Sequence, residues 1–142
     1  MVTLNPYLTF NGNCEEAFDF YKSVFGGEFD YKSKFKDIPL QEGQPAMSPE
    51  MGERIMHVSL KMPNGTVLMG SDNNPIMGDI NFGQNITLSL NVESKEEADR
   101  IFSGLSEEGV VTMPLADTFW GAYFGMFTDK FQFQWMVSFE AH

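Results

Sequence analysis

Cysteine is almost missing from this chain. Cys14 is its only one in 142 residues, so no internal disulfide can form, which fits a reducing compartment. Histidine is nearly as scarce, with His57 and His142 alone. Basic residues number 9 against 20 acidic ones, giving a net charge of −11. Such a surface repels phosphate backbones, so nucleic acid is not an expected partner. No window approaches the roughly 18 uncharged apolar residues that would cross a bilayer, so no membrane partner is expected either. The opening MVTLNPYLTFNG has no basic region followed by an apolar run. No signal peptide is therefore expected, and the cytoplasm is the expected location. A glycine-rich phosphate loop, a Cys-x-x-Cys pair and a Ser-His-Asp order with a nucleophile elbow are also missing.

What the chain has instead is broad apolar surface. It carries 14 phenylalanines and 10 methionines, with 42% hydrophobic residues overall. That is enough for one domain, or for two small modules sharing a core. Rings concentrate in WGAYFGMFTDKFQFQW, Trp120 to Trp135, where seven of sixteen residues are aromatic. Such a run suits either a core strand pair or the wall of a pocket that stacks flat molecules.

Periodicity places the elements. Thr3 to Phe10 reads as a strand and Asn11-Gly12-Asn13 as a turn. Ala17, Phe18, Phe20, Tyr21, Val24 and Phe25 then follow a helical stripe, with Asn13 as cap and Gly26-Gly27 as stop. Glu28 to Phe35 alternates, placing Phe29, Tyr31, Ser33 and Phe35 on one side. Lys36 to Gly52 reads as a long connection. Glu53 to Met62 and Thr66 to Ser71 form a hairpin across Pro63-Asn64-Gly65, and a second loop, Asp72 to Gly83, follows. Asn85 to Val92 is a strand, and Ser94-Lys95-Glu96-Glu97 opens a helix as a capping box. Ala98, Ile101, Phe102 and Leu105 give that helix its apolar stripe. Three strands close the chain, at about Val110–Pro114, Ala122–Thr128 and Phe131–Phe139.

The order is βαβββ twice over, and the halves echo each other. Asn5, Leu8 and Asn11 match Asn85, Leu88 and Asn91, at an offset of 80. Glu15-Glu16-Ala17 and Phe20-Tyr21 match Glu96-Glu97-Ala98 and Ile101-Phe102, at 81. One insertion accounts for the change, so an internal repeat is expected. The pieces Asn5–Glu28, Ile55–Asp72, Asn85–Gly109 and Trp120–Ser138 resemble the vicinal-oxygen-chelate superfamily of glyoxalases, extradiol dioxygenases and bleomycin resistance proteins. Within it the likeness is to PhnB-like proteins, also labelled 3-demethylubiquinone-9 3-methyltransferases. The resemblance implies an α+β fold of tandem βαβββ modules whose curved mixed sheets surround a cavity. The expectation is one glyoxalase-like domain over 1–142, with module one at about 1–74 and module two at about 83–142. It further implies a homodimer, in which the Lys36–Gly52 loop, with Met47 and Met51, suits a cover over the partner's pocket.

Metal-dependent members of the superfamily place His or Gln, Glu, His and Glu on four strands. The matching places here are Asn5-Pro6, Met69-Gly70, Asn85-Ile86 and Met136-Val137. None supplies the imidazole or carboxylate that such ions need. No metal and no cofactor are therefore expected. His57 is the candidate acid/base or ligand anchor, since imidazole changes charge near neutrality; the plainer alternative is a packed histidine bonded to a neighbouring strand. Asp72 is a candidate ligand contact or a turn-shaping residue. Glu53 and Arg54 read as an exposed ion pair. Cys14, in a helix's first turn, has no basic partner nearby in sequence. Tyr7, Trp120, Tyr123, Phe133 and Trp135 complete the candidate ligand-binding set with His57 and Asp72. Gln132 stands where relatives usually have glycine after Asp-Lys-Phe, so that turn is expected to be longer or differently shaped.

Three functions compete. One is a binder of a small aromatic or cationic molecule. A second is a glyoxalase- or dioxygenase-like enzyme (lyase, isomerase or oxidoreductase) using His57 or an atypical metal site. The third, methyl transfer, lacks a glycine-rich nucleotide loop and ranks last.

Overall fold

The computed structural model of the chain describes residues 1–39, 42–43, 46–74 and 78–141. His142 and parts of the two long loops, at 40–41, 44–45 and 75–77, lie outside them. The chain divides into two compact units, Met1–Ile80 and Asn81–His142.

The first unit runs β1 (Tyr7–Phe10), α1 (Cys14–Phe25), β2 (Glu28–Lys34), α2 (Pro49–Glu53), β3 (Ile55–Lys61) and β4 (Val67–Asp72). The second runs β5 (Leu88–Asn91), α3 (Lys95–Ser106), β6 (Val110–Asp117), β7 (Ala122–Thr128) and β8 (Gln134–Glu140). Each forms an open four-stranded mixed sheet, ordered β1-β4-β3-β2 and β5-β8-β7-β6. In both, the first and last strands of the unit pair in parallel and the remaining neighbours are antiparallel. The α+β tandem of βαβββ modules is thus as the repeat implied.

The repeat extends to backbone contacts. A Cβ on Gly27 would strike the Lys61 carbonyl at the end of β3, and one on Gly109 would strike the Thr128 carbonyl at the end of β7. Each glycine follows its unit's helix and lets that chain cross against a strand end, and Gly27 also has φ +87. Ala17 and Ala98, one offset apart, are both fully buried.

Helix α3 follows its pattern closely. Ala98, Ile101, Phe102 and Leu105 are its buried residues, contributing on the order of 6 kcal/mol by burial. Ser94 Oγ accepts from the Glu97 N–H at 3.0 Å. The Glu97 carboxylate reaches back one residue further than a standard box, accepting from the Glu93 N–H. Helix α1 departs from expectation. Asn13 makes no side-chain cap; the Cys14 N–H donates instead to Asp72 Oδ1, from the distant end of β4, at 3.0 Å. A tertiary carboxylate takes the place of the local cap.

Two further expectations change. The Lys36–Gly52 connection carries a 3-10 turn at Phe35–Asp37 and the short helix α2, which Ser48 caps by accepting from the Met51 N–H. Glu53 pairs not with Arg54 but with Lys34 and Lys36, at 2.8 and 2.6 Å. Their hydrogen bonds hold its carboxyl down to about 2. Arg54 donates to Asn73 Oδ1 at 2.9 Å.

The turn at Gln132 is not lengthened. The Gln132 N–H donates to the Asp129 carbonyl at 3.0 Å, closing a tight turn, and Gln132 takes the left-handed conformation at φ 77. An L side chain is strained there, whereas glycine is not. Gln132→Gly is therefore expected to stabilise the chain by about 1 kcal/mol, read as a higher urea midpoint with an unchanged slope. An unchanged or lower midpoint would contradict it.

Candidate functional site

In the first sheet, α1 covers one face. Phe10 and Gly70 meet Phe18 of α1, Phe29 lies under Lys22, and Lys32 pairs with Glu15. Strand alternation then turns Tyr7 and Met69 to the opposite face. There they line up with Ser59 and Tyr31, since Tyr7 pairs with Met69, Met69 with Ser59, and Ser59 with Tyr31. Beside this row, Ser33 of β2 pairs with His57 of β3.

His57 sits between two tyrosines on this face. Its ring centroid is 5.7 Å from that of Tyr7 and 5.6 Å from that of Tyr31. The Tyr7 hydroxyl lies 3.4 Å from His57 Nδ1. Both tyrosines are about half-exposed, at 48% and 50%. Tyr7 and His57, two of the candidate ligand contacts, are thus brought together. Tyr31 and Ser33 were not singled out in the sequence. Strict alternation put Phe29 with them, but a register shift between Phe29 and Tyr31 turns Phe29 toward α1.

Asp72 is only 4% exposed. Its Oδ1 accepts from the Gly12 and Cys14 N–H groups at 2.9 and 3.0 Å, and its Oδ2 from the Ile55 N–H at 2.8 Å. Both oxygens therefore serve the fold, joining the end of β4 to the β1–α1 turn and to the start of β3.

The aromatic run of the second unit divides by face. Phe127 packs edge-on against Phe102 of α3, with centroids 5.0 Å apart. Tyr123 lies on the same side: its hydroxyl donates to Asp99 Oδ1 at 2.6 Å and Lys95 Nζ sits 5.0 Å from its ring centroid. The Asp99 hydrogen bond raises the phenol's pKa. Trp135 is buried, its indole N–H donating to Asp129 Oδ2 at 2.8 Å. Phe133 meets Phe82 edge-on at 5.4 Å. Trp120, in the β6–β7 turn, touches Phe119 and Phe124, at 5.0 and 5.8 Å. The run therefore builds core, turn and surface together, and its four candidate residues do not share one cluster.

Among the described residues, no three His, Cys, Asp or Glu side chains converge as a metal would require. The four places that hold ligands in metal-dependent members carry amide, pyrrolidine, thioether and small apolar groups. The Pro6 carbonyl accepts from the Met69 N–H at 3.1 Å, and the Ile86 carbonyl accepts from Gln134 Nε2 at 2.8 Å. Thioethers suit soft ions and carbonyls already hydrogen-bonded are poor donors, so these places do not fit an oxygen-seeking divalent ion.

Cys14 is fully buried, and burial first, then the Asp72 and Glu15 charges, push its thiol far above the ordinary range. The thiol is the unreactive form. Native protein at neutral pH is expected to resist iodoacetamide, with alkylation at least about 100-fold slower than in urea. Comparable rates in the two conditions would show an accessible thiolate.

The comparisons agree with this architecture. Residues 3–137 match the Glyoxalase/Bleomycin resistance protein/Dioxygenase superfamily. The chain is 33% identical to Protein YjdN of Escherichia coli over 140 residues, covering 95% of this chain and 93% of that one. Protein PA1353 from Pseudomonas aeruginosa superposes with TM-score 0.85 at 44% identity, over 99% of this chain and 98% of that one. A putative 3-demethylubiquinone-9 3-methyltransferase, PhnB protein, from Bacillus cereus superposes with TM-score 0.75 at 26% identity, over 97% and 99%. With its duplicated βαβββ sheets and this match along nearly its whole length, the chain belongs to the glyoxalase/bleomycin resistance protein/dioxygenase superfamily and is PhnB-like in fold.

Proposed function

We propose that the chain is a small-molecule-binding member of its superfamily, holding a flat ligand on the face of the first sheet where His57 lies between Tyr7 and Tyr31. The observation that carries this reading is the three-ring arrangement, turned away from α1 with its two tyrosines half-exposed. Rings so placed offer stacking surface on two sides of a polar centre. None of Tyr7, Met69, Ser59, Tyr31, Ser33 and His57 is acidic. The face thus selects for flatness rather than positive charge, and the cationic ligand weighed above is set aside.

Thermal-shift screening of planar aromatic compounds is expected to give stabilising hits. Tyr31→Ala should weaken binding of those hits about 3- to 10-fold, the usual worth of one aromatic contact. Hits that bind Tyr31→Ala and His57→Ala as tightly as the parent would remove this face from consideration.

A second reading has one observation in its favour. The Tyr7 hydroxyl lies within hydrogen-bond reach of His57 Nδ1 and orients the ring, as an acid/base would need. Under this reading His57→Ala abolishes turnover of any substrate found. Unchanged turnover would leave binding alone.

A further inference from the structure

Ser33 Oγ is buried and has no hydrogen-bond partner among the described residues. The residue is 9% exposed. A buried hydroxyl left this way is a net cost to the fold, and native structures keep few of them. This one stands opposite His57 in the β2–β3 register, on the face that carries the two tyrosines.

His57 offers a second group. The Tyr7 hydroxyl reaches Nδ1; in the tautomer whose Nδ1 accepts from it, the ring proton sits on Nε2. Nε2 then has no acceptor among the described residues. In that tautomer two groups able to donate, the Ser33 hydroxyl and the His57 Nε2–H, occupy paired positions on adjacent strands. Neither has a lysine or arginine beside it in the two rows of the face.

From this we infer that the ligand is a neutral, conjugated carbonyl compound, its oxygen accepting from Ser33 and His57 while its flat body lies against Tyr7 and Tyr31. The inference rests on the binding face proposed above. A protonated amine has no lone pair with which to accept from the His57 Nε2–H. A carboxylate accepts well, but it approaches a chain of net charge −11, and the one lysine of β3 on this face, Lys61, lies four residues along the strand from His57.

Three matched probes separate these possibilities: benzamide, benzoate and benzylamine, each titrated against the full chain with ligand-observed NMR. Benzamide is expected to bind about tenfold more tightly than benzylamine and more tightly than benzoate. Ser33→Ala should weaken benzamide about fivefold and leave benzylamine unchanged. The same substitution should raise the Tm of the ligand-free protein by a few degrees, because it removes the unpartnered hydroxyl. A purely structural serine would lower it. His57→Gln, which keeps an N–H donor, should retain the benzamide preference, and His57→Phe should lose it.

Equal binding of all three probes, weakened alike by Tyr31→Ala, would overturn the carbonyl inference and leave the binding face standing. Preference for benzoate, or a benzamide preference that survives Ser33→Ala, would also overturn it. Binding of no probe, or binding that Tyr31→Ala does not affect, would remove the face and the inference together.

Discussion

Alanine in place of Asp72 is expected to cost the chain about 3–5 kcal/mol. The carboxylate accepts from three backbone N–H groups, those of Gly12, Cys14 and Ile55, and a buried donor left unpaired costs roughly 1–3 kcal/mol. The three penalties are partly relieved by water entering the gap, which is why the sum is put below their maximum. Set against a typical domain stability of about 5–15 kcal/mol, the change brings the protein near its folding threshold. Urea unfolding followed by circular dichroism measures it, with a midpoint about 2 M lower at an ordinary slope. Asp72→Asn is no remedy, because one of its two side-chain positions becomes an NH2 facing a donor. A loss below about 1 kcal/mol for the alanine variant would mean that Asp72 does not join β4 to α1 and β3 as described, and would return its carboxylate to the ligand candidates.

Asp129→Ala should act as strongly on the second unit. Asp129 is 3% exposed. Its Oδ1 accepts from the Phe131 and Phe133 N–H groups at 2.8 and 3.0 Å, shaping the β7–β8 turn, and its Oδ2 takes the Trp135 indole N–H. The expected loss is about 3 kcal/mol. It carries an optical signature as well. In a Trp120→Phe background Trp135 is the only indole, and its emission should shift to longer wavelength as water replaces the carboxylate. An unshifted spectrum together with unchanged stability would contradict this account of Asp129.

These two carboxylates show where reading the sequence stops. The helix stripe at Ala98, Ile101, Phe102 and Leu105 is legible because its spacing is local, as is the Ser94 cap. The βαβββ duplication is legible because matching residues recur at a nearly constant offset. Asp72 is ambiguous, since an Asp before Asn-Asn-Pro looks like a turn former. What it does instead depends on Gly12 and Cys14, some sixty positions away. The inward and outward faces of β7 and β8 were likewise open. Alternation groups Tyr123 with Phe127, but only the contacts with Phe102 and Asp99 of α3 show which way that group points. Alternation grouped Tyr31 with Ser33 correctly but put Phe29 beside them, because the register shift after Phe29 breaks the period-two pattern without leaving any mark in the residues. Trp135 illustrates the opposite risk: a large ring in an aromatic run suggests a stacking platform, yet its one polar atom is already committed within the fold.

The parallel seams have a consequence for how the chain is made. Strand β1 lies against β4, with Tyr7 beside Met69, while β2, β3 and β4 join one another in antiparallel order. On the ribosome the earliest strand therefore emerges long before the neighbour it needs, and it must wait while later segments assemble first. The same delay recurs with β5 and β8. Each half closes only when its final strand is synthesised, so a nascent chain halted near Pro63 would hold a finished first strand with nothing to zip onto.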